Sequence, residues 1–233
     1  MTLLKFIRTF SIIGLFTGLA TAALSAVERT LDKTFALAKR ATCTLVSAEM
    51  QSALAVLEAR LSSPQGVTYA IRSSVDFKGC TGCILNIEGT LKALNDLDYW
   101  YYHSEIFLMS GIKGATVQSL LGTGVIDGNG QNAYDIFATN SSLKRPALYS
   151  IKGGSTSITI KNIYLKNPPG IFFYAGGGSS NIKFASQYLT AASKSSYAPK
   201  NTDGFYIWDA SYVTITDTTV SNQDEGVAFK AGC

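Results

Sequence analysis

Three carboxylates near the end of this chain, Asp203, Asp224 and Glu225, lie in two short blocks of similar wording. Asp203-Gly204-Phe205-Tyr206-Ile207 overlays Glu225-Gly226-Val227-Ala228-Phe229 at an offset of 22 residues. If the blocks are equivalent strands in stacked rungs, Asp203 and Glu225 stand about 4.8 Å apart, with Asp224 at the edge of the same strand. Like charges at that distance repel, and one pKa must rise. A neutral carboxyl beside an ionised one is what hydrolysis of a glycosidic bond needs. The first protonates the leaving oxygen and the second activates a water. On spacing alone, Asp-Gly and Asp-Glu-Gly also read as solvent-exposed turns.

The elements that must position these residues are short and repetitive. Ile158/Ile160/Leu165, Ile182/Phe184/Leu189 and Val213/Ile215/Val220 share one internal spacing at unit offsets of 24 and 31 residues. Each follows a turn cluster: Gly153-Gly154-Ser155, Gly176-Gly177-Gly178-Ser179 or Asp209-Ala210-Ser211. Ile84 to Ile87, and Thr116-Val117 through Val125 to Gly128, read as degenerate copies. Several short strands in a repeat of this period predict a solenoid whose strands stack in parallel, ahead of a sandwich, which would show hairpin dipeptides at closer spacing. The only helical periodicity is in Thr42 to Leu61, so a short N-terminal helix is expected before the strands. Asn129-Gly130-Gln131 and Pro168-Pro169-Gly170 are expected at coil corners. Ala191 to Lys200 reads as an insertion that delivers the chain to Asn201.

The first residues have the layout of a secretory leader: Lys5 and Arg8, an apolar run from Phe10 to Ala20, then small residues. A signal peptide over residues 1–22, a pro-segment over 23–40 ending at Lys39-Arg40, and a solenoid domain over 41–233 are expected. The apolar run is short for a spanning helix, so no membrane partner is expected after cleavage. Residues 1–40 hold six basic and two acidic side chains, a net of +4 that equals the formal charge of the whole chain. The basic balance therefore belongs to the leader, and a nucleic-acid partner is not expected. Cys80-Thr81-Gly82-Cys83 stands without a second such pair and with one histidine in the chain, His103, so disulfides are expected rather than zinc. Cys43 is expected to reach Cys80 or Cys83, with Cys233 unpaired. Asn140-Ser141-Ser142 is a glycosylation sequon.

Asn201-Thr202-Asp203-Gly204, followed about twenty residues on by Asn222-Gln223-Asp224-Glu225-Gly226-Val227-Ala228-Phe229-Lys230, resembles the first two signature blocks of the family 28 glycoside hydrolases, the polygalacturonases. Gly122 to Gln131, Lys166 to Pro169, Pro199 to Phe205 and Tyr212 to Thr216 are most similar to the fungal endo-xylogalacturonan hydrolases of that family. The resemblance covers roughly residues 76–231. It implies an all-β chain folded as a right-handed parallel β-helix. It also implies inverting hydrolysis of galacturonosyl linkages in galacturonan or xylogalacturonan, with no metal or other cofactor. Position by position, Asp224 matches the general acid, Asp203 and Glu225 the pair that activates water, and Asn201 and Lys230 substrate contacts. Inversion further implies a gap between acid and base wide enough for a water.

Departures from the pattern accompany the matches. Gly226 stands where the family has Cys, Glu225 where it has Asp, and Tyr206 and Trp208 where Asp and Gly are expected. The family's later histidine block and basic substrate block would fall beyond Cys233. The chain is therefore expected to be a C-terminally truncated copy carrying half of a site, and a monomer if it folds. His103, within Tyr99 to His103, is expected to be structural. Gly111-Ile112-Lys113 copies the wording of the basic block by coincidence. The competing readings are a secreted β-helix that binds pectin or a protein without cleaving, and a purely structural solenoid. Calcium-dependent pectin lyases share the expected architecture, but the blocks match the hydrolases.

Overall fold

The computed structural model describes residues 60–231. The expected leader, pro-segment, Cys43, Cys233 and most of the expected helix lie outside the described residues. At the end of that stretch Arg60 and Leu61 are strand, not helix.

Among the described residues sixteen strands wind into successive coils, and every pairing between coils is parallel. They form three faces. The first carries β3 (Val75–Asp76), β6 (Glu105–Ser110), β9 (Ala147–Lys152), the opening halves of β12 (Phe173–Ala185) and β14 (Phe205–Thr216), and β16 (Val227–Phe229). The second carries β1 (Arg60–Ser63), β4 (Thr81–Ile87), β7 (Lys113–Gln118), β10 (Thr156–Lys161) and the closing halves of β12 and β14. The third carries β2 (Thr68–Ile71), β5 (Thr90–Ala93), β8 (Val125–Asp127), β11 (Tyr164–Lys166), β13 (Tyr188–Thr190) and β15 (Thr219–Ser221). This is the expected right-handed parallel β-helix, the hand that parallel crossovers favour.

The repeat expected from spacing is the observed register. Ile158 pairs with Ile182 and then Val213, Ile160 with Phe184 and Ile215, and Leu165 with Leu189 and Val220. The degenerate copies fall in line, with Leu85 on Val117 and Ile126 on Leu165. Alternation explains why these segments are strands. In β10 the buried positions are Ile158 and Ile160, while Ser157, Thr159 and Lys161 turn outward or partly outward. On the first face an aromatic ladder runs through the interior. Phe107, Tyr149, Phe173 and Phe205 stack at centroid distances of 4.5, 5.3 and 5.2 Å. All four are fully buried.

Corners take the left-handed conformation. Equivalent positions Gly82, Gly114, Ser157, Asn181 and Tyr212 have φ of 69, 80, 59, 54 and 53°. Glycine and asparagine suit that region, whereas a bulky aromatic there is strained. Tyr212 is also 80% exposed, so no packing offsets the strain. Val213, Ile215 and Val220, counterparts of fully buried residues, are half-buried in the last described coil.

Among the described residues two short helices break the strand pattern, α1 (Leu97–Trp100) and α2 (Gln131–Thr139). Asn129-Gly130-Gln131, expected as a simple turn, instead leads into α2. That helix buries only Ala133 and Tyr134, too few apolar positions for helical periodicity to be visible. The cysteine expectation is also corrected. Cys80 is bonded to Cys83, not to Cys43, because a left-handed Gly82 turns the chain so that their Cα atoms lie 5.6 Å apart. His103 is held in place as expected, stacked on Tyr99 at 3.8 Å with Nδ1 2.8 Å from the Tyr99 carbonyl. Gly111-Ile112-Lys113 leads into β7 on the second face, apart from the carboxylates.

Phe173→Ala, which empties the middle of the aromatic ladder, is expected to lower unfolding free energy by about 3–5 kcal/mol in urea titrations. Tyr212→Asn, which relieves the corner, is expected to raise it by about 0.5–1 kcal/mol.

Candidate active site

The rung that carries Asp203 is held on both sides by backbone hydrogen bonds. Phe172 and Phe173 donate N–H to the carbonyls of Asp203 and Gly204 at 2.9 and 3.1 Å. Gly204 and Phe205 donate in turn to the carbonyls of Glu225 and Gly226 at 2.9 and 3.1 Å. Asp203 and Glu225 are therefore stacked on adjacent rungs, as the internal repeat requires. The approach is so close that a Cβ on Gly204 would sit 2.5 Å from the Gly226 carbonyl oxygen and 3.1 Å from Val220. A Cβ on Gly226, where a Cys was expected, would meet nothing within 4 Å.

Side chains tie the two blocks together. Asn222 donates Nδ2–H to the carbonyls of Thr202 and Glu225 at 2.7 and 3.1 Å. Fully buried Thr202 donates its hydroxyl to the Pro199 carbonyl at 2.7 Å, closing the insertion onto the strand. The insertion itself is docked on α2. Gln131 accepts from the Lys194 N–H at 2.6 Å, and Asp135 accepts from the Ser195 hydroxyl at 2.5 Å. Arg145 holds the other end. Its guanidinium donates to the carbonyls of Pro169 and Lys200 at 3.1 and 2.7 Å and to Asn201 Oδ1 at 3.2 Å, with Phe137 beneath it. Asn201 then donates its N–H to Asp224 Oδ2 at 2.8 Å.

Asp203, Asp224 and Glu225 come together, each with a carboxylate oxygen within 4.8 Å of the others. Asp203 is 6% exposed, Asp224 is half-buried and Glu225 is open to solvent. The trio closes one end of a cleft of about 460 Å³ lined by Ile171, Tyr174, Asn201, Tyr206, Trp208 and Lys230. Tyr174 and Tyr206 stack at 5.9 Å, and Lys230 Nζ lies 5.0 Å over the Tyr206 ring. Every sequence-predicted site residue of the two blocks is present at this cleft. Asn140 lies elsewhere, exposed at the end of α2, with Oδ1 accepting from the Ser142 N–H at 3.1 Å.

Two expectations about the carboxylates are modified. The trio leaves no wide gap, whereas about 6.5–9.5 Å between carboxyl groups is the usual inverting arrangement. The carboxyl whose pKa is raised is also not the one matched to the acid. Burial pushes Asp203 above the usual carboxylate range, reinforced by repulsion from Asp224 and Glu225. Asp224 is held below it, chiefly by a side-chain hydrogen bond with Glu225, with further bonds from the Asn201 and Glu225 N–H groups. Three carboxylates at this reach are also a donor set for a divalent cation, although two N–H donors already occupy the Asp224 oxygens. Arg145, Asn222 and Tyr174 are missed by sequence reasoning. Asn222 sits in a block already singled out, but Arg145 and Tyr174 precede Asp203 by 58 and 29 residues, which no local pattern signals.

The family model of glycosyl hydrolases family 28 matches residues 56–233. The chain belongs to family 28. Within it, the chain is 42% identical over 224 residues to the endo-xylogalacturonan hydrolase A of Aspergillus tubingensis, covering 91% of this chain and 54% of that protein. It is 50% identical over 170 residues to a "Probable endo-xylogalacturonan hydrolase A" of Emericella nidulans, covering 73% and 42%. The crystal structure of the Aspergillus tubingensis enzyme superimposes with a TM-score of 0.78 at 41% identity, over 80% of this chain and 50% of that one. A "putative glycosyl hydrolase" of Parabacteroides merdae shares the fold at a TM-score of 0.62 and 14% identity. The chain spans about half the length of the curated relatives it matches.

A folded-state pKa raised by burial means that ionising Asp203 costs stability. That stability is present below the unfolded value of 3.8 and is lost as pH rises through the folded pKa. Asp203→Asn is therefore expected to raise the melting temperature at neutral pH, with the gain shrinking as pH falls, in thermal scans over a pH series. Gly204→Ala is expected to lower it and Gly226→Ala to leave it nearly unchanged, because only the first forces two rungs apart.

Proposed function

We propose that this family 28 chain carries the acid/base residues of a hydrolase site for galacturonosyl linkages in xylogalacturonan or galacturonan. The observation that carries the reading is the stacking of Asp203 on Glu225, with Asp224 beside them, in an aromatic-walled cleft. The similarity to endo-xylogalacturonan hydrolases supports the substrate class.

Asp224 gives a proton to the glycosidic oxygen as the bond from that oxygen to the anomeric carbon breaks. A water bonds to the carbon from the opposite side and loses its proton to Asp203 or Glu225. Asp203, whose carboxyl pKa is raised by burial, is in this reading the neighbour that supplies Asp224 with its proton. Lys230, exposed above Tyr206, meets the sugar carboxylate, and Asn201 holds Asp224 while lining the cleft. Inversion is part of the proposal on the family resemblance. Secretion rests on the leader pattern, and a glycan at Asn140 on its exposed sequon.

A second reading has one observation in its favour. Hydrogen bonds hold the Asp224 carboxyl below the usual carboxylate range, which suits a site that binds a pectic chain without cleaving it. The two readings separate on Asp224→Asn. Release of reducing ends from xylogalacturonan or polygalacturonate is expected to fall by roughly 10²-fold or more, while retention on immobilised galacturonan persists. Release of none by the unsubstituted chain overturns the hydrolase reading. For the stereochemistry, proton NMR of the earliest product is expected to show the β anomer first from an α linkage; the α anomer first means retention.

A further inference from the structure

Three loops enter the first face from the third, and together they line one groove. The loop before β14 brings Asn201 and Asp203, the loop before β9 brings Lys144 and Arg145, and the loop before β6 brings Tyr101 to Ser104. The cleft at the trio shares Ile171, Tyr174 and Asn201 with a second cleft of about 480 Å³. That one shares Ser104 and Arg145 with a third of about 410 Å³, lined by Tyr101, Tyr102, His103 and Lys144. By register, Asp203 stands on Ile171, then Ala147, then Glu105, so the far end lies three rungs, or about 14 Å, from the trio.

The far end has the build of a platform. Trp100 is 2% exposed and donates Nε1–H to the Leu94 carbonyl at 2.8 Å. His103 stacks on Tyr99, whose hydroxyl accepts from the Ser74 N–H at 3.1 Å. These anchors pin the turn, yet Tyr101 and Tyr102 between them are 39% and 82% exposed, edge to face at 5.1 Å. The exposed Phe229 and Tyr212 lie on the last described coil or at its corner, but no such position accounts for Tyr102. Large apolar rings held open to water mark a binding surface. Lys144 sits 5.8 Å over the Tyr101 ring and has no ion-pair partner among the described residues, unlike Lys152, which is paired with Glu105 at 3.0 Å.

We propose that Tyr101, Tyr102 and Lys144 form a distal subsite for an anionic sugar unit of the same polymer, several units from the bond at the trio. This rests on the pectic reading above. The hydrophobic C–H face of a pyranose lies on the Tyr102 ring, whose hydroxyl stays wet, and the uronate carboxylate meets Lys144. The neighbouring guanidinium of Arg145 is already committed to carbonyls, which leaves Lys144 as the cation available to ligand. Such a subsite makes affinity depend on chain length, because only a long fragment reaches both ends of the groove.

Titration calorimetry of the full chain with a galacturonate trimer and with a fragment several times longer tests this. The long fragment is expected to bind more tightly. Tyr102→Ala is expected to weaken its binding by about tenfold, equivalent to about 1.4 kcal/mol, and to leave the trimer unchanged. Tyr102→Trp is expected to restore it, and Lys144→Gln to weaken it with a reduced salt dependence. Tyr212→Asn, an equally exposed tyrosine outside the groove, is the control. Loss on both lengths, or on neither, overturns the subsite. No binding of either fragment by the unsubstituted chain overturns the pectic reading itself, and the subsite with it.

Discussion

Everything at the candidate site depends on one constraint, the in-register parallel hydrogen bonding of successive coils on the first face. In a solenoid each rung is positioned by its neighbours, because it has no other partner for its backbone groups. The bonds from Gly204 and Phe205 to Glu225 and Gly226 place two carboxylates one above the other without any side chain choosing that arrangement. The repulsion that results is built into the fold. It is tolerated because the ladder Phe107–Tyr149–Phe173–Phe205 holds the register from inside, so sliding one coil to separate the charges would break the stack.

A second layer of control comes from the loops, whose contacts are long-range in sequence. Arg145 holds Asn201, and Asn201 donates to Asp224, so the placement of one carboxylate depends on a guanidinium three coils away. The same loops line a groove much longer than the trio itself. In the proposed reading, chemistry is confined to one rung pair while recognition of a polymer is distributed over four rungs, a division that suits an extended, repetitive ligand.

Much of the architecture was legible in the chain because solenoid physics is local. Ile158, Ile182 and Val213 announce their pairing by spacing, and Asp203 and Glu225 follow from the same offset. What was not legible has physical reasons. Helix α2 buries two residues and so carries no periodic signature. The Cys80–Cys83 bond depends on a left-handed glycine between them rather than on spacing. Arg145, Tyr174 and the tyrosine platform meet the groove only once coils are stacked, and no one-dimensional pattern links residues so far apart.

The amino-acid order by itself determined the repeat, the parallel stacking and the identity of the three carboxylates, since alternation and offset dictate which residues face one another on a rung. Only the tertiary structure decided how differently they are buried and hydrogen-bonded. Asp203 is buried beneath Ile171 and the next rung, whereas Asp224 lies at the rim where backbone N–H groups reach it. The three side chains are the same acid chemistry in the sequence. Their different exposure to water and to donors, set by the packing of neighbouring coils, is what makes them unequal.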